Sequence, residues 1–382
     1  MIPPIASKLP QWEPSIFDTM NQVARQTGAI NLAQGYPDFG TDPELVRLMQ
    51  EALQEGHNQY APMAGLFSLR EAIAAKTRDL YGAHYDPETE ITLTNGATQA
   101  IFTAIAATIR EGDEVIVFKP AYDCYEPAVK AHGGVPVLLQ LQGPQFRIDW
   151  EGLQEAIGPR TRMLILNSPH NPSGTVLGEA DLKRLEELLA PTEILVLSDE
   201  AYEHLVFDGQ EHQSFCKFPG LKDRSFICAS FGKTFHVTGW KLGYCMAPEP
   251  LMREFRKLHE YIVFSVNHPA QRAVYRYMED PQRYLNLGAF FQEKRDAFLQ
   301  ALEGSRFRFR PAAGTYFQLL EYSGISDEPD TVFARRLARE HGVAAIPISV
   351  FNLNREDHRQ LRFCFAKSGE TLEKAAAILR NL

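Results

Sequence analysis

Two lysines in glycine-rich surroundings, Lys233 and Lys241, are close enough in sequence to act on one ligand. Lys233 lies between Gly232 and Thr234, and Lys241 follows eight residues later. A lysine amine can form an imine with an aldehyde, and a second cation can hold a phosphate of the same molecule. The apolar run before Lys233 predicts a strand that delivers it to the edge of a sheet, where open α/β folds bind ligands. Taken alone, the segment is also compatible with an ordinary exposed lysine in a glycine turn.

Gly232, Lys233 and Thr234 also match the end of the phosphate-binding loop of nucleotide hydrolases. That loop requires a glycine five residues before Gly232, and this position holds Ile227. The spacing therefore argues against a nucleotide-hydrolase loop.

A second candidate anion site follows the predicted strand 91–94, where Gly96, Ala97 and Thr98 open a helix. The free N–H groups and the dipole of a helix start attract anions, and Gly96 permits close approach of a ligand. The alternative is a common Asn-Gly turn in which Thr98 only caps the helix.

Asp199 and Tyr202 follow the predicted strand 194–197. An acid at the end of a buried strand needs a partner, and a protonated ring nitrogen would serve, with the Tyr202 hydroxyl close to the same ring. A helix cap at Asp199 and a core tyrosine explain the same residues without a ligand.

Three more residues fit a ligand site at the strand ends. Asn171, in a proline-rich loop after strand 163–166, could bond a ligand oxygen or merely its own backbone. The ring of Tyr122 could stack on a planar cofactor or be simple packing. Arg362 shares a strand face with Cys364 and Ala366, which predicts an enclosed guanidinium that binds a carboxylate; an internal salt bridge is the alternative.

The elements that position these residues predict a mixed α/β fold. Strands are predicted at 91–94, 115–118, 135–139, 163–166, 194–197, 226–229 and 244–247, with helices such as 97–109 and 179–189 between them. This alternation favours a mostly parallel seven-stranded sheet flanked by helices. Further strands at 315–320, 344–350 and 361–366 and a helix at 372–379 predict a smaller α+β domain. We expect a large domain over 41–275, and a small domain formed by 1–40 and 276–382.

Composition narrows the classes of function. The chain has 382 residues and a net charge of −9, which argues against a nucleic-acid partner because phosphate contacts need clustered Lys and Arg. The five cysteines are scattered without a Cys-x-x-Cys pair, so neither a metal site nor a disulfide framework is predicted. We expect no membrane association and a cytoplasmic location, because no apolar segment suggests a signal peptide or a membrane span.

Taken together, these motifs resemble the class I/II aminotransferases of fold type I, which depend on pyridoxal 5'-phosphate (PLP). The resemblance runs nearly end to end and is strongest to the kynurenine–glutamine–methionine aminotransferase branch. Four segments carry it: residues 31–39, 121–127, 232–241 and 361–365. Where the wider superfamily often has arginine, this chain has Lys241, as the kynurenine-type branch does.

The resemblance implies a role for each candidate residue. Lys233 would bind PLP covalently, Asp199 would pair with its pyridine nitrogen, and Tyr202 and Asn171 would bond its phenolic oxygen. The other expected cofactor contacts are Tyr122 on the ring and Gly96, Ala97, Thr98, Ser230, Lys241 and the partner subunit's Tyr60 at the phosphate. Gly35, Asn171 and Arg362 would hold the substrate carboxylate.

The resemblance also implies a homodimer with shared sites and a ping-pong reaction between an amino acid and a 2-oxo acid. Phe17, Tyr36 and Tyr60 suggest an aromatic-lined pocket, and no extra arginine for a side-chain carboxylate can be placed. We therefore expect hydrophobic, sulfur-containing or aromatic donors, with methionine favoured. A carbon–sulfur β-lyase acting on cysteine conjugates is the closest alternative; a PLP-binding regulator lacks support, since no DNA-binding region is apparent.

Overall fold

The strands and helices of the chain alternate through most of its length. The structure is a computed structural model, and it describes residues 6–10 and 14–382. Its strands are β1 (Ile30–Asn31), β2 (Ile91–Thr94), β3 (Glu114–Lys119), β4 (Val135–Gln140), β5 (Thr161–Asn167), β6 (Leu195–Asp199), β7 (Ser225–Ser230), β8 (Gly243–Met246), β9 (Phe317–Glu321), β10 (Val343–Ala344), β11 (Ile346–Pro347) and β12 (Gln360–Cys364). Its helices are α1 (Ile16–Thr27), α2 (Pro43–Gln54), α3 (Phe67–Tyr81), α4 (Gly96–Thr108), α5 (Tyr125–Ala131), α6 (Trp150–Ala156), α7 (Glu179–Leu189), α8 (Pro219–Lys222), α9 (Phe231–Thr234), α10 (Glu249–Ile262), α11 (His268–Met278), α12 (Gln282–Leu285), α13 (Leu287–Ala301), α14 (Asp330–Glu340) and α15 (Gly369–Arg380).

The central sheet has seven strands in the order β2-β8-β7-β6-β5-β3-β4. Strand β8 is antiparallel to both of its neighbours, and all other pairs are parallel. The seven strands predicted from the sequence are these seven, and the predicted α/β class is confirmed. Because β2 to β7 run in one direction, their carboxyl ends meet at one edge of the sheet.

Helices cover the sheet through apolar stripes at helical spacing. In α7, Leu182, Leu185 and Leu189 are buried, as the sequence pattern predicts. Helix α4 begins directly after β2 and is buried along Ile101, Ala104 and Ile105. Its start therefore lies at the carboxyl edge of the sheet.

A smaller antiparallel sheet, in the order β11-β12-β9, lies in the C-terminal part of the chain. The N-terminal segment joins this part, because Ile30 of β1 pairs in parallel with Val343 of β10. The predicted strand 344–350 is wrong in its second half: the strand breaks after Ala344 and again after Pro347, and Ser349–Phe351 forms a 3₁₀ turn. Asp330 explains the turn, since its buried carboxylate accepts hydrogen bonds from the N–H and the hydroxyl of Ser349.

Within residues 6–10 and 14–382, no helix is long and apolar enough to cross a membrane.

Candidate active site

A cavity of about 290 Å³ opens at the carboxyl edge of the central sheet. Every candidate site residue except Tyr60 contributes to its wall. The lining includes Phe17, Gly35, Tyr36, Gly96, Ala97, Thr98, Tyr122, Asn171, Asp199, Tyr202, Ser230, Lys233, Lys241 and Arg362. Residues nearly 350 positions apart in sequence, Phe17 and Arg362, therefore meet at one site.

Lys233 presents its amine to the cavity from α9, directly after β7. The Nζ atom donates a 2.9 Å hydrogen bond to the carbonyl oxygen of Gly35. The pKa of Lys233 is lowered to about 8, chiefly by burial; Arg362 and Lys241 contribute to this lowering, whereas Cys364 and Asp199 oppose it. A lysine with a lowered pKa is more often unprotonated near neutral pH, as a nucleophilic amine must be.

Asp199 ends β6 and is buried beneath the cavity, 5% exposed. Its Oδ2 accepts a 2.6 Å hydrogen bond from the Tyr125 hydroxyl, and its Oδ1 accepts a 3.1 Å hydrogen bond from the N–H of Ala201. Burial raises the pKa of Asp199, and the bond from Tyr125 acts in the opposite direction. No side-chain cation among residues 6–10 and 14–382 contacts this carboxylate, so it is free to pair with a cationic ligand atom.

The start of α4 and Lys241 form a cradle for an anion. Gly96 has φ +76°, and a Cβ added there would lie 3.5 Å from Nζ of Lys241. The Thr98 and Tyr122 hydroxyls are 3.5 Å apart at the same end of the cavity. Helix N–H groups, two hydroxyls and an ammonium together suit a phosphate.

The Arg362 guanidinium also lines the cavity and is fully buried, 1% exposed. Its Nη1 donates to Oδ1 of Asn171 at 2.7 Å, and its Nη2 donates to the carbonyl oxygen of Ala33 at 3.0 Å. Its Nε has no partner in the described part of the chain. Burial lowers the pKa of Arg362 to about 10. No described carboxylate forms an ion pair with it, so the alternative of an internal salt bridge is not observed, and an incoming carboxylate would supply the missing charge.

Aromatic rings form the wall around Arg362. The guanidinium carbon lies 3.9 Å from the ring centroid of Phe317 and 5.0 Å from that of Phe17. Tyr36 borders the same cavity and is 44% exposed. Tyr60 is not brought to the cavity within one chain: it is 80% exposed and packs edge to face on Phe264.

Sequence reasoning missed four residues that shape this site. Tyr125 holds Asp199, and Tyr316 donates to the Gly35 carbonyl at 2.6 Å. Asn167 donates to the Asp199 carbonyl at 2.8 Å and accepts from the N–H of Asn171 at 2.8 Å, whereas Phe317 lies under Arg362. The position of Asn167 at the end of a strand was a usable signal, but the contacts of the three aromatic residues depend on tertiary packing.

The chemistry of these residues fits a phosphorylated aldehyde cofactor. The desolvated amine of Lys233, the buried carboxylate of Asp199 and the cradle at Gly96 and Lys241 fit the aldehyde, the ring nitrogen and the phosphate of PLP. The buried guanidinium of Arg362 then leaves a place for a substrate carboxylate.

Comparison with known proteins identifies the family. The model of the family "Aminotransferase class I and II" matches residues 27–379. The chain therefore belongs to the class I and II aminotransferases, and it is a PLP-dependent transaminase.

Similar proteins cover the whole chain. Methionine aminotransferase from Escherichia coli is 48% identical over 98% of both chains. The chain also matches the crystal structure of an Escherichia coli protein for which a methionine aminotransferase function was identified. The TM-score is 0.97 at 48% identity, and the match covers 100% of both chains. Kynurenine–oxoglutarate transaminase 1 from Rattus norvegicus is 32% identical over 98% of this chain and 97% of that protein.

Proposed function

We propose that this transaminase moves the amino group of methionine, or of another hydrophobic or aromatic L-amino acid, to a 2-oxo acid. The observation that carries the substrate class is the apolar wall of the cavity, where Phe17 and Phe317 pack on Arg362 and Tyr36 lines the same cavity. Among the described residues, the cations that line the cavity are Lys233, Lys241 and Arg362. The first two belong to the proposed cofactor contacts and the third to the substrate carboxylate, so no cation is left for an acidic side chain.

The proposed roles of the residues follow from their positions. Lys233 is the covalent attachment point, and once released its Nζ accepts the proton of the substrate's Cα. Asp199, supported by Tyr125, faces the ring nitrogen with a negative charge, and Tyr202 and Asn171 bond the ring oxygen. When bound, PLP supplies the electron sink for the pair left on Cα.

The remaining contacts orient cofactor and substrate. Tyr122 packs on the ring, and the phosphate is held by Gly96, Ala97, Thr98, Ser230 and Lys241. Arg362, Asn171 and Gly35 hold the substrate carboxylate, which fixes Cα near Lys233. Precise orientation of this kind accounts for much of the rate enhancement in enzymes.

The similar proteins support the substrate class. The Escherichia coli relative is a methionine aminotransferase, and a kynurenine transaminase among the relatives is consistent with aromatic donors. Methionine also suits the wall, because a thioether makes favourable contacts with aromatic rings.

The proposal extends to assembly and location. We propose a homodimer in which the partner subunit's Tyr60 completes the phosphate site, which accounts for the 80% exposure of Tyr60 in one chain. Residues 41–275 would form the large domain, and 1–40 with 276–382 the small one. We keep the cytoplasmic location as a prediction.

A substrate panel tests the function. The purified protein with PLP is given methionine, phenylalanine, kynurenine or aspartate together with a 2-oxo acid, and the new oxo acid is identified by mass spectrometry. We expect methionine and the aromatic donors to exceed aspartate, whereas faster turnover of aspartate would refute the substrate class. Pyruvate and ammonia released from a cysteine conjugate without a 2-oxo acid would instead indicate a β-lyase.

A further inference from the structure

The ammonium of Lys367 is buried against backbone carbonyls beside the active site. The residue is 3% exposed. Its Nζ donates to the carbonyl oxygen of Tyr36 at 2.7 Å and lies 3.5 Å from that of Gln34. The same atom lies 5.1 Å from the centroid of the Tyr36 ring. No carboxylate of the described residues pairs with it, so an expensive buried charge is stabilised by carbonyl dipoles and a ring.

The segment that Lys367 holds is a wall of the cavity. Gln34, Gly35 and Tyr36 all line the cavity, whereas Lys367 does not. The Gly35 carbonyl, between the two that face Lys367, accepts hydrogen bonds from Lys233 at 2.9 Å and from Tyr316 at 2.6 Å. This short segment therefore touches both the reactive amine and the aromatic side of the pocket.

The far end of the segment is fixed from the same direction. Asp38 accepts hydrogen bonds from the N–H of Ser368 and the hydroxyl of Thr371, both at 2.6 Å. The carbonyl of Lys367 in turn accepts from Lys294 at 3.0 Å. Residues 367–371, which lead into the first turn of α15, thus hold residues 34–38, and Lys367 is the one that contacts the part lining the cavity.

We propose that Lys367 is a positioning residue for substrate specificity: it fixes the backbone of residues 34–36 so that the Tyr36 ring bounds the substrate side-chain subsite. This inference rests on the proposed function, because it assumes that large apolar side chains occupy the space beside Tyr36. Lys367 touches neither substrate nor cofactor, and it acts through the carbonyls of Gln34 and Tyr36.

The test compares a long and a short donor in Lys367→Met. We expect KM for methionine to rise roughly tenfold with kcat within about threefold of the original, because contact is lost while the chemistry stays intact. For 2-aminobutyrate, whose short side chain does not reach Tyr36, we expect KM to change by less than about twofold. The cofactor absorbance and its pH midpoint should stay unchanged.

Matched variants separate positioning from general damage. Lys367→Arg keeps a cation and should retain most of the preference for methionine. Lys374→Met removes a lysine of α15, seven residues further along the chain, whose side chain is 64% exposed, and should change neither KM. If Lys367→Met does not fold, Lys367→Gln replaces it, because glutamine removes the charge but keeps an amide donor. The expected result is the same: KM rises for methionine and not for 2-aminobutyrate.

Equal losses for methionine and 2-aminobutyrate, or an unchanged KM for both, would overturn the proposal. The original protein is measured first. If it turns over aspartate faster than methionine and the aromatic donors, the proposed function has failed; if it uses an aromatic donor but not methionine, Lys367 is judged on that donor against 2-aminobutyrate.

Discussion

The hydroxyl of Tyr125 donates a 2.6 Å hydrogen bond to Oδ2 of Asp199, joining the first turn of α5 to the last residue of β6. Both residues are buried, at 3% and 5% exposure. Burial raises the pKa of Asp199, and this hydrogen bond acts against the rise because it stabilises the carboxylate. Tyr125 therefore helps to keep Asp199 ionised in a buried environment that disfavours the carboxylate.

Replacing Tyr125 by Phe should make the carboxyl group of Asp199 harder to ionise. Without the hydroxyl, the pKa of Asp199 rises further, so the acid limb of the kcat profile should move to higher pH. We expect kcat to fall roughly tenfold near neutral pH, which corresponds to one lost hydrogen bond to a charged group. Steady-state kinetics across pH measure both effects.

The matched control is Tyr322→Phe. Tyr322 is buried and donates to the Glu328 carbonyl at 2.8 Å, away from the cavity. Its loss should lower stability without moving the acid limb. If both variants shift the profile equally, Tyr125 has no special relation to Asp199.

At pH values below the lowered pKa of Lys233, this residue should destabilise the cofactor-free protein. The folded-state pKa is about 8 instead of the ordinary 10.5, so at neutral pH folding must bury a protonated amine. Between about pH 8 and 10.5 the unfolded chain holds more protons than the folded one, and stability therefore rises with pH through this window. Because Lys233 is only partly shielded from solvent, the penalty is on the order of 2 kcal/mol.

Lys233→Met should remove that penalty and abolish turnover. In the cofactor-free state we expect a higher Tm at pH 7, with the gain shrinking as pH rises from about 8 towards 10.5. Thermal unfolding at several pH values measures it, with Lys374→Met as the exposed control. A pH-independent gain would contradict the lowered pKa, and residual transamination at the original rate would refute the role of Lys233.

Much of the site could be predicted from the sequence, because the ends of strands are marked by short local patterns of residues. Asp199 and Ser230 end their strands, and Gly96 begins a helix, so apolar runs and turn residues place them at one sheet edge. Arg362 was placed by alternation along one strand. By contrast, the contacts of Tyr316 and Lys367 with residues 34–36 depend on long-range packing that has no local pattern. The 3₁₀ turn at Ser349–Phe351 also depends on a remote carboxylate, that of Asp330.

Gly96 offers a test of the phosphate cradle. Gly96→Ala places a side chain at φ +76°, with its Cβ 3.5 Å from Nζ of Lys241. The backbone strain should cost about 1 kcal/mol of stability. Because the new methyl would also occupy space beside the Lys241 ammonium, where we propose that the phosphate binds, we expect the Kd for PLP to rise roughly tenfold, as measured by absorbance titration of the cofactor-free protein.

Gly112→Ala separates strain from crowding. Gly112 has φ +84° and nothing within 4 Å of an added Cβ, so this variant carries similar strain with no contact to the cradle. It should lose comparable stability and bind PLP normally. Equal Kd values for the two variants would argue against a phosphate at Gly96.

Arg362 should contribute to catalysis through the substrate carboxylate. Arg362→Ala removes a buried cation whose bonds reach Asn171 and Ala33, and kcat/KM for methionine should fall on the order of a thousandfold. Arg362→Lys should recover only part of this loss, because an ammonium cannot form two parallel bonds to a carboxylate. Arg359→Ala, which breaks the exposed pair with Asp327, is the control.

A decarboxylated substrate makes the role of Arg362 specific. The amine derived from methionine by loss of its carboxylate keeps the thioether side chain but offers nothing for a guanidinium to bind. Its slow reaction with the bound cofactor, followed by absorbance, should proceed at similar rates in the original protein and in Arg362→Ala. The variant would then differ only for substrates that carry a carboxylate. If the amine is slowed as much as methionine, Arg362 supports the cavity as a whole, because a lost carboxylate contact cannot slow a substrate that never made it.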